Sequence, residues 1–267
     1  MKLYFRKYGS GPTLVILHGL YGSSDNWVSV ARKLSSHFTV ILPDLRNHGQ
    51  SPHSDLHSYD AMADDLDELM NDLGTDRFVL GGHSMGGKAA IKFALKWPER
   101  LNGLVIIDIS PFGSDDLQNP YYIEHREILE AILSLEPGSA ALREEIEKVL
   151  SEHIRSERTR GFIMKNLKRG HEGTFEWKLN ASALLSNLQK ITDGVIDREG
   201  QIMPVSGFPV VFIKGENSDY LKSGDIRDIL KIFPSAEIIK IADSGHWVHA
   251  EKPDEIVEVF VRIAKGD

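Results

Sequence analysis

The sequence predicts an α/β fold: a mostly parallel sheet with helices on both faces, interrupted by an inserted helical segment. Three observations carry this. Short β-branched apolar runs alternate with amphipathic helical patterns over the first hundred residues, the alternation stops after Asp108, and it resumes from Phe208. Thr13–Leu17 and Phe38–Leu42 read as buried strands, and Phe78–Leu80 and Leu104–Ile107 continue the series. Ser58 caps a helix through about Leu73, with Met62, Leu66, Leu69, Met70 and Leu73 on one face and Gly74 just past its end. Lys88–Trp97 is the next helix, and Pro98 ends it.

From about Asn119 to Lys190 the pattern is almost wholly helical: Tyr121–Leu135, a turn at Glu136-Pro137-Gly138, then Ser139–Glu152 with Leu142, Ile146, Val149 and Leu150 in register. Strand patterns return at Phe208–Ile213 and Glu237–Ile241, and Pro253 opens an amphipathic last helix. The expected organisation is a core of residues 1–112 and 205–267 with a helical cap, 113–204, inserted into it.

Composition narrows the function. The chain has 267 residues, 41% hydrophobic and 26% charged, the balance of a globular protein that builds its core without disulfides or metals. With 31 basic against 39 acidic residues the net charge is −8, which argues against a general nucleic-acid binder. The absence of cysteine removes thiol catalysis and Cys-ligated zinc. Met1–Lys7 has no apolar stretch of signal-peptide length and no run approaches a membrane span, so a cytoplasmic protein is expected.

Gly82-His83-Ser84-Met85-Gly86 is a G-x-S-x-G sequence entered by a strand and left by a helix, the context in which that motif lifts a serine hydroxyl to the top of a sheet. A plain Gly-rich turn with Ser84 as helix cap is the alternative it outweighs. A serine needs a base to become a nucleophile. His246, in Asp243-Ser244-Gly245-His246-Trp247 directly after a strand, is the candidate, with His249 as its rival. A His246/His249 metal pair lacks further ligands, so no metal is expected. The acid that orients the imidazole is either Asp108, at a strand end, or Asp219, several residues into a loop; both satisfy the order Ser…Asp…His, and the strand-end position favours Asp108. The Met85 and Leu20 N–H groups are the expected oxyanion donors, and His18 is assigned a structural role in its own loop.

His18-Gly19, Asp44–Ser51, Gly82–Gly87 and Gly245-His246 together resemble the α/β-hydrolase superfamily. Arg46–Gly49, Gly86–Ala89, Asp108-Ile109-Ser110-Pro111 and Gly245–Pro253 resemble, more narrowly, the esterase group that contains bacterial YbfF. The resemblance covers residues 1–112 and 205–267 and is looser through the cap. It implies a serine esterase or thioesterase without cofactor, Ser84 as nucleophile and His246 as base. Many superfamily members carry the acid at the position of Ser218; in the YbfF-like group it is the strand-end Asp, here Asp108. The resemblance also sets Arg46 and His48 beside the oxyanion region.

The expected function is hydrolysis of small-molecule carboxylic esters or acyl thioesters through an acyl-enzyme. A carbon–carbon bond hydrolase or lyase on the same scaffold and a ligand-binding protein with negligible turnover are the alternatives. Arg155, Arg158, Arg160, Lys165, Lys168 and Arg169, between His153 and His171, reverse the overall sign locally; they form a solvated helix face or steer an anionic substrate. Phe162, Met164, Trp177, Leu184 and Leu185 are candidates for an acyl pocket, with core packing as the alternative.

Overall fold

The computed structural model describes residues 1–113, 118–135, 142–170, 173–197 and 203–265. The chain runs through β1 (Phe5–Tyr8), β2 (Thr13–Leu17), α1 (Val28–Leu34), β3 (Thr39–Pro43), α2 (Tyr59–Asp72), β4 (Phe78–His83), α3 (Met85–Lys96) and β5 (Leu101–Ile107) before leaving the sheet. Away from it lie α4 (Pro120–Leu133), α5 (Arg143–His153), α6 (Glu157–Met164), β6 (Leu167–Arg169), β7 (Phe175–Trp177), α7 (Ala181–Ser186) and α8 (Leu188–Thr192). It returns as β8 (Val210–Gly215), α9 (Ile226–Ile232), β9 (Ala236–Ile241), α10 (Val248–Glu251) and α11 (Pro253–Lys265).

The sheet order is β1-β3-β2-β4-β5-β8-β9, antiparallel only at β1–β3. Alternation along the strands divides the core into two layers, because successive side chains point to opposite faces. On β2, Val15 and Leu17 join the layer of Met62, Leu66 and Phe93 from α2 and α3, whereas Leu14 and Ile16 join that of Leu34 and Phe260 from α1 and α11. Among the described residues no helix is long and apolar enough to cross a membrane.

Two sequence expectations are corrected. The stretch 119–190 is not almost wholly helical: β6 and β7 form an antiparallel hairpin in which Lys168 opposes Glu176 and pairs with it at 3.0 Å. Three-residue strands are too short for a period-2 pattern to stand out from helical periodicity. The helix expected from Lys88 starts at Met85, because the chain turns into it directly after Ser84. The turn at Glu136-Pro137-Gly138, the proposed helix start at Ser139 and the His171 boundary of the basic stretch lie outside the described residues; α5 itself begins at Arg143.

Polar contacts fasten the inserted helices to the core. Asn166 Nδ2 donates to the Tyr21 carbonyl at 2.8 Å, the Asn180 N–H to the Asn47 carbonyl at 3.0 Å, and Asn187 Nδ2 to the Asp55 carbonyl at 2.9 Å. Lys88 on α3 adds a charged fastening. Its buried ammonium donates to the carbonyls of Ile191, Thr192 and Asp193 at 3.3, 3.0 and 2.5 Å, the C-terminal end of α8, where a cation is favoured. The Tyr59 hydroxyl donates to the same Ile191 carbonyl at 2.6 Å. Burial lowers the Lys88 pKa to about 8. Lys88→Met keeps the apolar stem but leaves these carbonyls short of a donor, and is expected to cost about 2–4 kcal/mol. Calorimetry should show Tm lowered by roughly 4–16 °C at neutral pH; an unchanged Tm would remove the ammonium from the list of what holds the helices down.

Candidate active site

The loops that follow β2, β4, β5, β8 and β9 meet over the carboxyl edge of the sheet, the edge where ligands bind in open α/β folds. Ser84 stands between β4 and α3 at φ 53° and ψ −120°, a strained conformation for a residue with a side chain. Its N–H donates to the Ile107 carbonyl at 3.1 Å, and its carbonyl accepts from Lys88 N–H at 3.1 Å. Close approach explains the flanking glycines. A Cβ on Gly82 would lie 2.2 Å from the Gly86 carbonyl oxygen, and one on Gly86 would lie 2.5 Å from that of His18. Alanine at Gly82 would force the turn itself open, and alanine at Gly86 would push the turn away from the end of β2 and the loop after it.

Asp108, fully buried at the end of β5, also holds a positive φ, 51°. The β5–β8 register, with Ile107 opposite Ile213, sets it beside the loop that leaves β8. Its Oδ1 accepts the Gly215 N–H at 2.9 Å, and its Oδ2 accepts the Ser218 hydroxyl and His246 Nδ1, the latter at 2.7 Å. The structure therefore brings together Asp108 and His246 and leaves Asp219 out: its side chain is exposed at the mouth of a cavity, with no bond to the imidazole. Because Nδ1 donates to the carboxylate, neutral His246 carries its free acceptor on Nε2. Tyr220 stacks on the His246 ring with centroids 3.7 Å apart, and His83 Nε2 donates to the His246 carbonyl at 2.8 Å. His249, the rival base, makes no bond to a carboxylate among the described residues. It is buried against Trp27, 4.5 Å between centroids, and burial lowers its pKa to about 3.

Leu20 and Met85 both line the cavity above Ser84, and neither N–H is taken by an acceptor among the described residues. The loop carrying Leu20 is held by buried histidines. His18 Nε2 accepts the Leu45 N–H at 2.9 Å while Nδ1 donates to the Gly19 carbonyl at 2.8 Å, a structural role as expected. His48 Nε2 accepts the Tyr21 N–H at 3.3 Å and Nδ1 donates to the Arg46 carbonyl at 2.9 Å. Arg46 makes a buried two-pronged ion pair with Asp65, at 2.7 and 2.8 Å, and does not reach the cavity.

Ser84 sits where two chambers join. The first, about 140 Å³, has Met85, Ile109, Phe112 and Ile191 in its wall; the second, about 220 Å³, has Trp27, Ile128, Phe162, Trp247 and His246. Of the five residues considered for an acyl pocket, Phe162 lines a chamber; Met164 and Leu184 are buried in the core, and Trp177 and Leu185 pack on it. Four of the six cations of 155–169 meet protein partners, Arg169 over the Phe175 ring among them. Arg158 pairs with Glu251 at 2.5 Å and lies over the Trp247 ring, Arg160 donates to the Ile154 and Arg155 carbonyls, and Lys168 pairs with Glu176. Among the described residues no group of three or more His, Asp or Glu side chains is arranged to hold a metal ion.

Sequence reasoning missed three participants. Ser218 completes the hydrogen bonds of the Asp108 carboxylate, Tyr220 braces His246, and Glu251 Oε2 accepts the Gly245 N–H at 2.6 Å beside it. Only Ser218 left a trace, since it occupies the position where superfamily relatives carry an acid.

A family model for the alpha/beta hydrolase fold matches residues 12–137. The sn-1-specific diacylglycerol lipase ABHD11 of Mus musculus is 38% identical over 92% of this chain and 79% of its own length. Esterase YbfF of Escherichia coli is 34% identical over 93% and 91% respectively. Among solved structures, a marine microorganism esterase superimposes with a TM-score of 0.93 at 41% identity, covering 98% of this chain and 99% of that one.

Proposed function

The chain belongs to the α/β-hydrolase family, and from that premise we propose that it is a serine hydrolase of carboxylic esters or acyl thioesters. The observation that carries the reading is the Asp108–His246 bond at 2.7 Å beside a serine held at positive φ, with Ser84 and His246 in the wall of one chamber. The names of the relatives, esterase and lipase, point the same way.

In the proposed mechanism His246 Nε2 takes the Ser84 hydroxyl proton as Oγ bonds to the acyl carbon. The carbonyl π electrons move to oxygen, and the Leu20 and Met85 N–H groups stabilise the oxyanion. As the carbonyl re-forms, the bond to the leaving oxygen or sulfur breaks, and His246 returns its proton to that atom. Water then loses a proton to His246 and attacks the acyl-enzyme; collapse releases the acid and restores the Ser84 hydroxyl. Asp108 stays ionised throughout, holding Nδ1–H and stabilising the imidazolium.

The test is peptide mapping after exposure to a fluorophosphonate, with unfolded protein as control. One adduct per chain, confined to Ser84 and absent from the unfolded control, is expected. Folded protein that turns over no ester and takes no adduct would end the reading.

A further inference from the structure

Resting on that reading, we propose that the two chambers divide the ester: the acyl group occupies the Met85 chamber and the leaving alcohol the Trp27–Trp247 chamber, so that the enzyme prefers short acyl groups on bulky apolar alcohols.

The division follows from where protons must go. The leaving oxygen has to come within hydrogen-bond reach of His246 Nε2 to be protonated. His246 lines the second chamber and not the first. The Met85 N–H, which would receive the oxyanion, lies on the wall of the first. With Ser84 shared by both, an ester whose carbonyl oxygen points at Leu20 and Met85 and whose leaving oxygen faces His246 has its acyl chain in the first chamber. That chamber is the smaller, and its lining includes the exposed, charged Asp219 and Lys222. A long alkyl chain gains nothing beside charged groups that would have to be desolvated. The second chamber is larger, and apart from the exposed Glu124 its wall presents Trp27, Ile128, Phe162 and Trp247, which suit a flat apolar leaving group.

The experiment uses the whole chain and two ester series. One varies the acyl group from acetyl through butanoyl and octanoyl to hexadecanoyl on a constant 4-nitrophenyl leaving group. The other varies the alcohol (ethyl, benzyl, 2-naphthylmethyl) on a constant acetyl, with alcohols of similar acidity so that chemistry does not set the order. We expect kcat/KM to fall about tenfold or more from butanoyl to octanoyl and to rise by a similar factor from ethyl to 2-naphthylmethyl, the range a few apolar contacts supply. Phe162→Ala should flatten the alcohol series and leave hydrolysis of the acetyl-enzyme unchanged, because the alcohol has already left. Ile191→Ala should extend the tolerated acyl length and leave the alcohol ranking intact. Exchange of these two phenotypes, a hexadecanoyl optimum, or variants that alter neither series while Ser84 still acylates would each overturn the division and leave the serine mechanism standing. Loss of all ester turnover together with loss of the Ser84 adduct in the wild-type protein would overturn both.

Discussion

Ser84→Ala and His246→Ala are each expected to lower kcat by about 10⁶, and Asp108→Asn by about 10⁴, while Asp219→Asn stays close to wild type. The first two remove the nucleophile or its base, and groups that act as one unit lose nearly everything when either is missing. Asp108→Asn is subtler. The carboxylate accepts three donors, from Gly215, Ser218 and His246 Nδ1. An asparagine has one acceptor oxygen and an NH₂ group. If its oxygen keeps the Gly215 bond, the NH₂ meets His246 and favours the tautomer with the proton on Nε2, which cannot take the serine proton. Asp219 makes no bond to the imidazole, so its amide variant changes only an exposed charge. Steady-state kinetics on one activated ester, with circular dichroism to verify folding, checks all four. A crippled Asp219→Asn beside a near-normal Asp108→Asn would overturn the assignment of the acid.

The second large effect is acid unfolding. Burial holds six histidines below the ordinary imidazole value: His57 and His249 to about 3, His125 to about 4, His48 and His83 well below it, and His18 lowered. In the unfolded chain all of them take up a proton as pH falls through about 6.5. The unfolded state then binds more protons than the native one, so stability is full above this value and falls with pH down to 3–4. Each histidine contributes a loss of up to ~1.4 kcal/mol per pH unit. Several acting together exhaust an ordinary stability of about 5–15 kcal/mol within roughly two units. For His18 and His48 protonation also removes the acceptor of the Leu45 and Tyr21 N–H bonds, which loosens the loop bearing Leu20. Lys88 does not enter this window, being charged in both states below about pH 8. Tm should therefore drop steeply between pH 6.5 and 5, with unfolding near pH 5 taking up several protons per molecule. A flat Tm from pH 7 to 5 would show that these rings are solvated or already charged in the native state.

The sequence by itself determined whatever depends on neighbours a few residues apart. The G-x-S-x-G turn was legible because most of its requirements are local: a strand before it, a helix after it, and no side chain at Gly82 to meet Gly86. The β2, β3, β4, β5 and β8 runs were legible because buried strands are short and apolar, most of them β-branched. Tertiary structure decided the rest. Asp108 and Asp219 satisfy the same order along the chain, and only the β5–β8 register, with Ser218 and Gly215 closing on the Asp108 carboxylate, separates the one that meets His246 from the one that faces water. The inserted helices were visible by periodicity, yet their docking was not, because it rests on contacts such as Lys88 to Ile191–Asp193 across about a hundred residues. The chambers around Ser84 were illegible for the same reason: hydrophobic pattern reports that a side chain is buried, and only packing decides whether it is buried against protein or against an empty volume that a substrate can fill.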